Sequence, residues 1–168
     1  MILLHNVGTH QHSNYNTRDQ IKNCKEQLSF DGVYLNVWEN RDLLLNRSMP
    51  TILFVMGDHV GGDNTFDRVN GVPYERYCTW DQIMDLKINF DCELGWHTWS
   101  HRNLTNLSYD EIVRECMPPF PMDYFSYPYG DLNENVERSV KSVGYKKAYS
   151  VHQGNGTQFQ KKRYYLNH

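Results

Sequence analysis

Little in this chain marks it as cationic, cross-linked or membrane-spanning. Its 168 residues carry 17 Lys and Arg against 20 Asp and Glu, a formal net charge of −3, so the electrostatic footprint of a nucleic-acid binder is missing. The one basic run, Lys161, Lys162 and Arg163, reads as a solvated tail. No stretch approaches the roughly 18 apolar residues that a spanning helix needs. Met1 leads directly into the apolar residues 2–4, without the basic and long apolar regions of a secretion signal. The expectation is therefore a soluble, cytoplasmic protein, in which the Asn-x-Ser/Thr sites at Asn46, Asn103, Asn106 and Asn155 carry no weight. Cys24, Cys78, Cys92 and Cys116 are widely spaced and form no CxxC pair. That spacing argues against a zinc knuckle or disulfide scaffold and for buried free thiols. No internal repeat or low-complexity linker is visible, and the length fits one domain, residues 1–168. It is short for a complete eight-stranded barrel, which takes about 200 residues or more.

Aromatic residues, by contrast, are plentiful. They make up 14% of the chain, with 12 Tyr, 7 Phe and 4 Trp. Such a composition indicates a folded protein and suits the walls of a carbohydrate cleft, although cores and interfaces use aromatics too. Short apolar runs at 2–5, 28–30, 51–56, 90–95, 124–127 and 147–150 alternate with segments of helical period, the pattern of parallel strands joined by helical crossovers. Helices are expected at 17–27, 35–45, 80–86, 109–116 and 133–143. Capping boxes mark several starts: Thr17 with Gln20, Thr79 with Gln82, and Ser108 with Glu111. Gly144 closes the last helix as a C-cap. Residues 57–71 are polar, glycine-rich and too long for a plain connector, so a surface loop is expected there.

In a parallel βα architecture, chemistry collects at the C-terminal ends of the strands, where the loops share one mouth. His5, Asp31, Asp58 with His59, His97 with His101, and residues 127–130 all fall there. His97 and His101, four apart in GWHTWSHRNLT, can bind one ion. With Asp31 they supply two imidazoles and a carboxylate, a common hydrolytic plan in which the ion activates water and polarises a carbonyl. Zinc is the default ion, and a two-His, one-carboxylate set also suits iron, cobalt or nickel. A group to move the proton is also needed, and by strand order His5 and Asp31 are the nearest candidates. His10 and His12 read as exposed loop histidines. Asp58 and Asn64 read as residues that fix the glycine-rich loop through Asx-type turns, and Tyr164 and Tyr165 as terminal packing. Trp96 and Trp99 flank His97, and either could stack on a sugar face, with at least one of them expected in the core.

Five segments carry a resemblance that covers most of the chain: LSFDGVYLNVWEN (28–40), ILFVMGDHVGGDN (52–64), ELGWHTWSHRNLTNLSYDEI (93–112), FSYPYGDLNENV (125–136) and GYKKAYS (144–150). Together they resemble the polysaccharide deacetylases of the NodB-homology type, carbohydrate esterases built on a distorted (β/α) barrel. With the short chain end, the resemblance implies an incomplete α/β barrel with a parallel sheet. It further implies metal binding by His97 and His101, with Asp31 matching the family's catalytic base. The YPYG segment implies substrate contacts from Tyr127, Pro128 and Tyr129, with the backbone N–H of Tyr129 serving the oxyanion. Trp96 joins these as a candidate substrate contact. Two departures stand out. Gly32 occupies the place of the family's second Asp, its third metal ligand, so Asp31 is open to either role, ligand or base. Ser126 stands where many members carry an Arg that orients the base. The family's late general-acid segment is not recognisable, with His152 the nearest histidine. The function expected is metal-dependent removal of an acetyl group from an acetylated sugar or surface-polysaccharide precursor. The alternative is a catalytically silent member that binds carbohydrate or a biosynthetic partner.

Overall fold

The computed structural model describes residues 1–4, 6–7, 15–66, 73–151 and 155–166. In chain order the elements are β1 (Ile2–Leu4), the short pair β2 (Asn6–Val7) and β3 (Tyr15–Asn16), α1 (Arg18–Asn23), β4 (Leu28–Asp31), α2 (Leu35–Glu39), β5 (Thr51–Val55), α3 (Trp80–Asn89), β6 (Cys92–Trp96), α4 (Tyr109–Cys116), β7 (Tyr124–Ser126), α5 (Glu134–Val143), β8 (Lys147–Ser150), β9 (Lys161–Lys162) and β10 (Tyr164–Tyr165). Strands β1, β4, β5, β6, β7 and β8 lie side by side in that order, all parallel. The sheet curls into the expected incomplete (β/α) barrel. β9 pairs with β8 and β10 with β1. Because only Arg163 separates β9 from β10, one short segment spans from the last full strand to the first.

Alternation along the strands makes two apolar layers. One set of side chains, including Phe30, Leu53, Val55, Leu94, Trp96 and Phe125, packs in the main core together with the buried faces of the helices. The other set, Ile52, Phe54 and Tyr149 with Tyr124 beside them, forms a smaller cluster. Ser29, Asp31 and Ser126 share that second parity on their strands, and all three touch Arg163. Gly95 makes room for this interior cluster: a Cβ there would lie 2.6 Å from Cδ1 and Cε1 of Phe54. Among the described residues, no helix is long and apolar enough to cross a membrane.

The capping boxes at Thr17, Thr79 and Ser108 are all formed, and the helices begin at the next residue. Asn133 caps α5 through the Val136 N–H, and Gly144 ends it at φ 104°. Burial at i and i+4 spacing, Ile112 with Cys116 and Val136 with Val140, seats α4 and α5 on the sheet. Several expected bounds differ: the helix expected over 17–27 ends at Asn23, and that expected over 80–86 runs on to Asn89. The helix expected over 35–45 stops at Glu39, because the Asn40 side chain donates to the Asn36 carbonyl and its backbone leaves helical geometry; a 3₁₀ turn, Arg41–Leu44, follows. The strand expected from residue 90 starts at Cys92, since α3 runs on to Asn89 and Asp91 turns at φ 53°.

Burial pushes the thiols of Cys78 and Cys92 up to about 12 and that of Cys116 higher still, while Cys24 is only half-buried. A thiol reagent at pH 8 should therefore modify Cys24 in the native protein and all four cysteines after denaturation, as read by mass spectrometry. Gly95→Ala should cost about 1–3 kcal/mol by displacing Phe54, measured as a lower urea midpoint at unchanged slope.

Candidate active site

Asp31 is the last residue of β4 and His97 follows β6 directly, its N–H continuing the ladder to the Val55 carbonyl at 2.8 Å. Inward alternation brings the two side chains together, with His97 Nε2 3.6 Å from Asp31 Oδ2. They are 2% and 5% exposed. The Nδ1–H of His97 donates to the Ser126 carbonyl at 2.8 Å, which leaves the lone pair on Nε2 facing the carboxylate. Burial holds the His97 imidazole below its ordinary pKa, opposed by the Asp31 charge and the Ser126 hydrogen bond and assisted by Arg163. The ring is thus a neutral ligand or acceptor at neutral pH.

His101 does not sit with His97 on a helix. Residues 97–103 are irregular, with Thr98 and His101 in the left-handed region at φ 71° and 57°, conformations costing about 1–3 kcal/mol each unless the surroundings enforce them. The enforcement comes from α4: Glu115 Oε2 accepts the N–H groups of Trp99 and Ser100, both at 3.0 Å, and Oε1 accepts the Ser100 hydroxyl at 2.5 Å. Thr98 Oγ1 accepts the His101 N–H at 3.0 Å. Gly57 lets the neighbouring loop close on this turn, since a Cβ there would strike Trp99 and Trp96. The His101 ring ends 4.9 Å from His97, 4.8 Å from Tyr129 and 6.0 Å from Phe66, centroid to centroid.

Tyr129 is 54% exposed and held at φ 59°, which sets its ring beside His101; Pro128 is buried beneath it. Trp96 and Tyr127 are not at the mouth. Trp96 is fully buried, donating to the Glu115 carbonyl and packing on Trp99. Tyr127, 1% exposed, packs on Phe125 and donates to the Phe159 carbonyl. Both carry the outward parity of their strands and pack in the main core, away from the mouth. The exposed aromatic that sequence reasoning missed is Phe66, 43% exposed, its ring tilted against that of His59 at 4.4 Å between centroids. Asn64 fixes its loop, though not through the expected Asx-type turn: it reaches across to the Pro73 carbonyl and the Glu75 N–H, while the local turn belongs to Asp63, whose Oδ1 accepts the Thr65 N–H at 2.9 Å. His5, His10, His12 and His152 lie outside the described residues.

The basic run is the largest correction. Arg163, expected as solvated tail, is 1% exposed and forms a two-pronged ion pair with Asp31, Nη1 to Oδ1 at 2.7 Å and Nη2 to Oδ2 at 2.8 Å. Residues 161–166 read as a basic run followed by Tyr164, Tyr165 and Leu166, with no alternation to mark a strand.

A family model for polysaccharide deacetylases matches residues 24–148. The chain belongs to the polysaccharide deacetylase family. Solved structures of the family are similar in fold. IcaB from Ammonifex degensii is 17% identical, with a TM-score of 0.68 over 89% of this chain and 82% of that one. A polysaccharide deacetylase from Bacillus cereus is 15% identical, with a TM-score of 0.75 over 99% of this chain and 64% of that one. The Streptococcus pyogenes deacetylase PplD, in complex with acetate, is 13% identical, with a TM-score of 0.73 over 97% and 89%. A search of curated protein sequences found no match.

The family implies a divalent ion, and the residues present fit one in part. Two ligands at about 2.1 Å on a tetrahedral ion lie roughly 3.4 Å apart, close to the 3.6 Å between His97 Nε2 and Asp31 Oδ2. Among the described residues, however, no three His, Cys, Asp or Glu side chains converge on one point. Position 32 cannot supply the missing carboxylate without rearrangement. Gly32 sits at φ 79°, and a Cβ on it would lie 2.9 Å from Met56 Cε and 3.1 Å from Tyr77 Cε1, while Tyr77 is stacked on Tyr34.

Glu115→Ala should release the histidine turn. Loss of its hydrogen bonds to two amides and a hydroxyl predicts a stability cost of about 1–3 kcal/mol, with faster hydrogen exchange at the Trp99 and Ser100 amides by NMR.

Proposed function

We propose that this family member is a metal-dependent deacetylase that removes an N- or O-acetyl group from an acetylated sugar, such as a surface-polysaccharide precursor. The observation that carries the reading is the buried Asp31–His97 contact, with His101 and Tyr129 beside it. His97 and His101 would hold the divalent ion, zinc by default, with Asp31 at the edge of its reach; when bound, such an ion polarises the acetyl carbonyl and favours ionisation of water. Asp31 Oδ2, turned towards His97 Nε2, receives a proton from the attacking water and returns it to the sugar nitrogen or oxygen as the acyl bond breaks and acetate leaves. The left-handed backbone at Tyr129 would direct an N–H at the developing oxyanion, where charge appears only during reaction. Phe66 and Tyr129 offer exposed rings on which a pyranose face stacks. His5 is retained as a second candidate for proton transfer.

Gly32, with its side-chain space filled by Met56 and Tyr77, favours a second reading, a silent carbohydrate-binding member. Acetate release from penta-N-acetylchitopentaose and acetylated xylan, with metal content measured in parallel, separates the two. The deacetylase reading expects near-stoichiometric zinc after loading and release that falls by more than about 100-fold in His97→Ala. Oligosaccharide binding with neither metal nor acetate release would establish the silent member.

A further inference from the structure

The reaction outlined above leaves Arg163 without a role. Its guanidinium lies inside the barrel, where Nη1 and Nη2 grip both oxygens of Asp31, Nη2 also donates to Ser126 Oγ at 2.6 Å, and Nη1 reaches Ser29 Oγ at 3.3 Å. The ring of Phe54 lies 5.0 Å beneath it. A two-pronged contact of this kind stops rotation of the carboxylate as well as balancing its charge. Ser126 completes the frame from both ends of the residue: its hydroxyl donates to Asp31 Oδ2 while its carbonyl accepts from His97 Nδ1. The face that Oδ2 turns to His97 Nε2 is therefore fixed by Arg163 and Ser126 together.

We propose that Arg163 is the positioning residue of Asp31, delivered to the site by the segment that bridges β8 and β1. The stretch matching the family model ends at residue 148, so this cation comes from a part of the chain beyond it. A lysine at 163 could supply charge but not the planar fork, which makes orientation separable from ion pairing. The inference rests on the deacetylase reading.

Acetate release from penta-N-acetylchitopentaose by zinc-loaded Arg163→Lys should show kcat lowered roughly 100-fold with KM within about threefold. In Arg163→Ala, millimolar guanidinium should restore kcat at least about tenfold while methylammonium, a charge without the fork, does not. Because loss of the cation can unfold the protein, urea midpoints of Arg163→Met, Asp31→Asn and the double variant supply a readout independent of turnover, and the double variant should be more stable than the two single losses add up to. Wild-type kcat in Arg163→Lys, equal rescue by both cations, or additive midpoints would overturn the proposal. A parent protein that releases no acetate fails the deacetylase reading instead, and the midpoints then still report whether the pair is coupled.

Discussion

The buried ion pair between Asp31 and Arg163 is the constraint on which the interior of this molecule is arranged. Neither charge could stay in so dry a setting alone, because removing one partner of a buried pair typically costs about 3–5 kcal/mol. Around it the barrel interior is small and polar on one side, with Ser29 and Ser126, and aromatic on the other, with Phe54. The pair joins the second full strand of the sheet to its closing segment across most of the sequence. Fold closure and the geometry of the acid group are one interaction.

The histidines depend on a different device. His97 is set by the strand ladder and by Ser126, both regular features of the sheet. His101 is set by strained backbone that Glu115 holds from α4. The two imidazoles thus answer to separate supports, one rigid through backbone pairing and one through a single carboxylate. An ion bound between them would couple the sheet to the helix layer.

Much of this was legible in the sequence. Apolar runs located the parallel strands, capping boxes located three helix starts to the residue, and strand-end logic selected Asp31 and His97. What escaped was decided by side-chain direction and by tertiary pairing. Trp96 and Tyr127 neighbour site residues in sequence but alternate to the opposite face, a distinction a one-residue error in strand bounds erases. Residues 161–165 contain too few apolar positions to show a period, and their pairing with β8 and β1 exists only once the sheet has curled. Arg163 therefore looked like solvent-exposed charge. The crowding at Gly32 was equally hidden, since Met56 and Tyr77 arrive there from distant segments.

The closing segment has a consequence for dynamics. β9 and β10 each meet their neighbour through two residue pairs, far fewer backbone bonds than join β5 to β6. Opening free energy follows the contacts that must be broken, so local opening concentrates where ladders are short. To those short ladders the guanidinium adds its contacts across the interior, to Asp31 and Ser126. Because Arg163 lies between β9 and β10, a fluctuation that parted the seam would also draw the cation away from Asp31.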